Sequence, residues 1–254
     1  MRPNPVRERL EKSQTVLGTM CSLASPLMAE ALGHAGYDFL IVDLQHGESN
    51  LGDAGRMLQA VSATPATPLV RVPDASPMLI QRVLDLGAYG VIVPMVETRQ
   101  QAQDIVRAVR YAPHGARSWG PIRGTLFGGG DYFARAHEVL LTLVMLETAR
   151  GAADAAAILS VEGIDGCFVG PNDLSISMGH GPEQPALAGD VETAIAGIAA
   201  DARRAGKAAG IQVYTADAAR HRIEGGFRLI SVQSDIRMAR AAARDVLGRL
   251  RGSP

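Results

Sequence analysis

A (β/α)8 barrel is the fold class this sequence predicts, and three observations carry that expectation. Eight short apolar runs alternate with eight amphipathic stretches from one end of the chain to the other. The length of 254 residues suits a single barrel domain, so 1–254 reads as one domain. No Gly-x-Gly-x-x-Gly turn follows the first run, where Gly18-Thr-Met-Cys-Ser22 stands. An open dinucleotide-binding sheet would need such a turn.

The strand candidates are residues 16–20, 39–43, 69–72, 90–94, 141–146, 166–169, 210–213 and 229–232. Each is a short hydrophobic run bounded by turn residues, the pattern of a parallel strand buried on both faces. The helix candidates between them are 25–35, 53–62, 76–86, 98–110, 150–159, 190–205, 216–224 and 235–250. Two connections exceed what a barrel needs. One is 111–137, with Gly115, Gly120, Gly124 and Gly128 to Gly130, and with Arg117, Trp119 and Arg123; it reads as a lid or an interface element. The other is the Gly- and Pro-rich stretch 177–189.

Apolar residues make up 47% of the chain and aromatics only 4%, so the core must be built from Ala, Val, Leu and Ile. A net charge of −1 favours neither nucleic acid nor an acidic membrane surface. Cys21 and Cys167 sit in apolar runs and read as buried free thiols in a reducing cytoplasm. The first ten residues lack the apolar core of a signal peptide, and no apolar run approaches the roughly 18 residues of a membrane span.

The chemistry gathers at strand ends, where barrel sites lie. Leu143-Val-Met-Leu-Glu147 ends on one carboxylate, and Asp173 follows the sixth strand. Two carboxylates on neighbouring strands, with no Cys or His beside them, make an oxygen-ligand site for a hard divalent cation. Asp173 also reads as a helix cap; Glu147, ending an apolar run, does not. Gly170, Pro171 and Asn172 would let backbone approach a ligand closely. Asp43, His46 and Glu48 cluster after the second strand. A lone loop histidine is usually solvated; beside acids at a strand tip, His46 reads as a general base. Asp43 and Asp85 are both candidates for its carboxylate partner, and spacing leaves them even. Arg71 ends the third strand, either as a rim arginine or as a fixed cation for developing negative charge. The lysines, Lys12 and Lys207, lie away from strand tips, which disfavours a Schiff-base mechanism.

These residues together resemble the HpcH/HpaI aldolase family over most of the chain. The likeness rests on Val42-Asp-Leu-Gln-His-Gly47, Leu69-Val-Arg71, Leu84-Asp-Leu-Gly-Ala88, Val93-Pro-Met-Val96, Gly115-Ala-Arg117, Leu146-Glu-Thr148 and the run from Val161 to Ser175. The resemblance implies a class II aldolase that cleaves a 4-hydroxy-2-oxo acid to pyruvate and an aldehyde through a metal-stabilised enolate. It implies Mg²⁺, Mn²⁺ or Co²⁺ held by Glu147 and Asp173. It gives Arg71 the enolate charge and His46 the proton transfer. Asp85 would then support His46, with Asp43 orienting water or the aldehyde. It also implies a homohexamer, with the final helix as a candidate exchanged element.

Two positions depart from the family pattern. Gln45 stands where Glu often precedes the histidine, and Met145 where Gln often precedes the metal glutamate by two. A thioether cannot replace an amide's hydrogen bond, so substrate choice is the property these changes touch. Two rivals remain: a citrate-lyase-like acyl-CoA lyase, with Arg117 and Arg123 as phosphate partners, and a non-catalytic barrel that binds a metal or an oxo acid.

Overall fold

The computed structural model describes residues 1–182 and 186–252. Residues 183–185 of the Gly- and Pro-rich connection lie outside the described residues. The strands are β1 (Val16–Cys21), β2 (Phe39–Asp43), β3 (Thr67–Arg71), β4 (Gly90–Val93), β5 (Leu141–Met145), β6 (Gly166–Val169), β7 (Ala208–Val213) and β8 (Leu229–Ser234). They form one closed parallel barrel in chain order, with β8 pairing back to β1. This is the expected (β/α)8 barrel.

The alternation of side chains along each strand divides the core in two. Phe39, Ile41, Leu69, Ile92, Leu143, Phe168 and Leu229 fill the barrel interior. Leu40, Val42, Val70, Val91, Val93 and Val144 pack outward against the helices. Burying each Leu, Ile or Phe removes about 1.5–3 kcal/mol of unfavourable exposure. With few aromatics available, Phe39 and Phe168 supply much of the interior bulk. Gly18 faces Phe39, and a Cβ there would lie 2.3 Å from the ring, so the glycine is a space requirement.

The outer helices are α2 (Pro26–His34), α3 (Leu51–Val61), α4 (Pro77–Asp85), α5 (Arg99–Val109), α11 (Gly189–Arg204), α12 (Ala216–Glu224) and α13 (Asp235–Arg251). The expected helix at 150–159 is instead two short ones, α8 (Ala149–Ala153) and α9 (Ala155–Leu159), broken at Asp154. Gly151 and Asp154 are weak helix formers, which accounts for the break. Besides two helices in the long connection 111–137, two more lie outside the expected helix ranges. One is α1 (Pro5–Glu11), which closes the N-terminal end of the barrel with Val6 in the interior cluster. The other is α10 (Pro171–Ser177), which follows β6 directly.

The long connection 111–137 is not an open loop. It holds α6 (Ile122–Gly128) and α7 (Tyr132–Val139) and packs against the body of the barrel. Arg123 donates to the Leu86 and Leu58 carbonyls and to Ser62, and the Tyr89 and Phe127 rings meet edge to face at 5.0 Å. Trp119, Ile122, Leu126 and Phe133 remain exposed along it. In α13 only Asp235 is buried, and Val246, Leu247 and Leu250 are exposed. Cys21 and Cys167 are buried and unpaired, and burial pushes both thiols well above the usual range, Cys167 to about 12. No helix among the described residues is long and apolar enough to cross a membrane.

Candidate active site

The barrel register assembles the first half of the site. β2 and β3 pair so that Asp43 stands directly beside Arg71 at their C-terminal tips. Both follow the inward-facing parity of their strands, so the two side chains meet inside the mouth. Arg71 Nε donates to Asp43 Oδ1 at 2.9 Å and Nη2 donates to Oδ2 at 2.7 Å. The fork is bidentate, and both residues are buried. Asp43 Oδ1 also accepts from the backbone N–H groups of Gln45 and His46, which turns the chain sharply after β2. One carboxylate thus aims the arginine and sets the loop that carries His46.

The second half comes from β5 and β6. Glu147 follows β5 and is 1% exposed. Its Oε1 accepts from the Met95 N–H at 2.9 Å, and Met95 takes a left-handed backbone (φ 57°) at that position. Its Oε2 is buried with no hydrogen-bond partner. Burial pushes the carboxyl up to about 7; the Met95 N–H opposes this, nearby Asp173 adds to it and Arg71 opposes it. Asp173 sits in the first turn of α10, where the helix favours an anion. Gly170 lies between strand and helix, and a Cβ there would come within 2.4 Å of Glu147 Oε2.

An orphaned, buried carboxylate oxygen, a second carboxylate nearby and a glycine that keeps the space open fit a hard divalent cation. No group of three or more Cys, His, Asp or Glu side chains suited to a metal occurs among the described residues. A cation held here would take its remaining ligands from water or from substrate oxygens. Gly170→Ala should leave the barrel folded and weaken divalent-metal binding at least tenfold, because the new methyl displaces Oε2. Calorimetric titration with Mn²⁺ measures it, and unchanged affinity would show that Oε2 is not a ligand.

A cavity of about 240 Å³ at the C-terminal mouth collects Asp43, His46, Arg71, Gly170 to Asp173 and Met145. His46 stands exposed at its edge, and its ring bonds neither aspartate that the sequence offered. Asp43 is spent on Arg71 and two amides. Asp85 ends α4 in the helix layer, where it accepts from Arg117 Nη2 at 2.9 Å, and it does not line the cavity. The expected Asp85–His46 pair is therefore not formed within the chain.

Sequence reasoning missed the wall opposite. Gln212, Tyr214, Gln233 and Ser234, from the ends of β7 and β8, line the same cavity. Gln212 was legible as a polar residue inside an apolar run. Gln233 was not, because its placement depends on a left-handed backbone (φ 65°). Asp235 was also missed. It is buried, and its carboxylate accepts from the Ser22 and Leu23 N–H groups, both at 3.0 Å. It thereby holds the loop after β1 at the rim.

A closed parallel barrel with paired carboxylates and a fixed arginine at its C-terminal mouth has the frame of a barrel enzyme, whose active sites lie at that mouth. The family model for HpcH/HpaI aldolase/citrate lyase matches residues 17–242, and the chain belongs to that family. A hydroxypyruvate/pyruvate aldolase of Rhizorhabdus wittichii is 39% identical, over 98% of this chain and 99% of that protein. A 5-keto-4-deoxy-D-glucarate aldolase of Klebsiella pneumoniae is 37% identical, over 94% of each. The crystal structure of a family member from Burkholderia cenocepacia superposes with a TM-score of 0.91 at 37% identity, covering 98% of this chain and 99% of that one.

Proposed function

We propose that this lyase is a divalent-metal-dependent aldolase that reversibly cleaves a 4-hydroxy-2-oxo acid into a small 2-oxo acid, pyruvate or hydroxypyruvate, and an aldehyde. The observation that carries the reading is the unpartnered, buried Glu147 Oε2 near Asp173, directly behind Gly170 in the wall of the mouth that holds the Arg71–Asp43 fork. Glu147 and Asp173 would hold Mg²⁺, Mn²⁺ or Co²⁺, which supplies a Lewis-acid charge for the carboxylate and keto oxygens of the 2-oxo acid.

The chain's own residues do the rest. Gly170, Pro171 and Asn172 line the floor where the substrate carboxylate would lie. His46 takes the proton from the 4-hydroxyl as the bond between C3 and C4 breaks. The bonding electrons move toward the 2-keto oxygen, and the Arg71 guanidinium balances the negative charge that develops there. The aldehyde leaves, and a proton delivered to C3 completes the 2-oxo acid. Asp43 keeps Arg71 aimed throughout, so the cation needs no reorientation when charge appears. Met145 presents a thioether to this cavity, so the substrate loses a hydrogen bond that an amide would have given there.

The acyl-CoA reading finds little support in the arginines that motivated it. Arg117 is buried against Asp85 and the Tyr111 ring, and Arg123 is engaged by backbone carbonyls. Assembly into a homo-oligomer, with α13 covering its exposed Val246, Leu247 and Leu250 against another copy, belongs to the same proposal. So does action in the cytoplasm, which the two buried reduced thiols favour.

The test is solvent deuterium exchange into the methyl group of pyruvate, followed by NMR. Exchange should proceed with Mg²⁺ or Mn²⁺ and stop with EDTA. Failure to exchange with any divalent metal would sink the pyruvate reading and leave the non-catalytic barrel as the better account.

A further inference from the structure

We propose that the N-terminal mouth of the barrel, opposite the catalytic mouth, carries a second binding site for a compact polyanion. Its ligand would be a small molecule with two or more phosphate or carboxylate groups. The site is a cavity of about 560 Å³ between α1, α11 and the turns that lead into β7 and β8. That volume is in the range of small-ligand sites, roughly 300–1,000 Å³. Ala196, Ala199, Gly225 and Gly226 form its walls, which keeps the space open.

The charges that face the cavity do not balance. Arg7, Arg203, Lys207 and Arg228 line it against Glu11 and Asp165. Arg7 occupies both acids: its Nε lies 3.0 Å from Glu11 Oε1 and its Nη1 lies 3.0 Å from Asp165 Oδ1. The other Asp165 oxygen accepts from the Thr142 N–H at 2.7 Å. Lys207 feels Asp165 only at longer range. No acidic side chain forms an ion pair with Arg203, Lys207 or Arg228 among the described residues. Arg228 is also fixed in direction, because its Nη1 donates to the Ile223 and Phe227 carbonyls.

Four cations against two carboxylates leave a surplus of two positive charges around one concave space, on a chain whose net charge is −1, and focus a positive potential there. A single negative charge offsets only part of that field, which is why the ligand is a polyanion. This cavity shares no lining residue with the catalytic mouth.

Calorimetric titration of the full-length protein in EDTA, with inorganic pyrophosphate and separately with tricarballylate, tests the site. One equivalent should bind per chain, with affinity that falls as NaCl is added. Lys207→Gln and Arg203→Gln should each weaken it about three- to tenfold, as the loss of one screened charge does. A variant of the catalytic mouth, Asp43→Asn with Arg71→Ala, should bind as the wild type does. The tighter of the two anions identifies whether phosphate or carboxylate is the natural group. Three results would each overturn the proposal: no binding of either anion below about 10 mM, wild-type affinity in both charge variants, or binding lost only in the catalytic-mouth variant.

Discussion

Arg71→Ala is expected to abolish retro-aldol turnover, by at least about 10²–10³-fold in kcat, the usual cost of removing a preorganised donor from developing oxyanion charge. It is also expected to destabilise the fold, for a separate reason. The substitution strands Asp43 as a buried carboxylate without its counter-charge, and breaking such a pair costs about 3–5 kcal/mol. The two effects can be taken apart. Asp43→Asn combined with Arg71→Ala removes the stranded charge and keeps an acceptor for the Gln45 and His46 amides. Urea unfolding of the double variant should recover most of the lost stability, while turnover stays at background. Divalent-metal affinity should change little in either variant, because Glu147 and Asp173 are untouched. Recovery of activity in the double variant would show that Arg71 serves the fold and not the reaction.

Glu147→Gln should eliminate tight metal binding and, with it, turnover. The pH dependence gives the sharper readout. With the carboxyl at about 7, a metal must displace a proton over most of the range below neutrality. Wild-type affinity for Mn²⁺ should therefore rise about tenfold per pH unit up to about 7 and flatten above it. In the variant this slope should vanish. Stability of the metal-free protein carries the opposite trend. The folded-state value lies above the ordinary carboxyl value of 4.5, so folding takes up a proton at this site. Its contribution is full below pH 4.5 and is lost as the pH rises through 7. Burial raises Asp165 in the same direction, so only the difference between wild type and Glu147→Gln isolates the site. A urea midpoint in EDTA that tracks pH identically in both proteins would place the titration elsewhere.

The barrel was legible because each strand carries a short apolar run buried on both faces, and β2 and β6 begin and end where their runs do. Arg71, Asp43 and Glu147 were legible for the same reason: a charge that ends such a run must sit at its open end. Asp173, four residues past β6, was legible as the acid that follows the Gly-Pro turn. What escaped depended on partners remote in sequence. Asp43 binds Arg71, 28 residues away, and this decides between an acid that serves His46 and one that serves an arginine. Asp85 is claimed by Arg117, 32 residues away, at the start of the long connection that precedes β5. Spacing alone could not weigh those competing partners.

Asp235 reaches Ser22 across 213 residues, and β8 pairs with β1, so the seam of the barrel runs through the rim of the catalytic mouth. Contacts of that sequence separation form late, since closing so long a loop costs entropy before it returns contact energy. During synthesis the strands that carry Asp43, Arg71 and Glu147 emerge well before the strand that closes the ring. An incomplete chain thus holds the catalytic groups without a sealed mouth to fix them. The last strand of the barrel is therefore also the one that seals the mouth in which those groups stand.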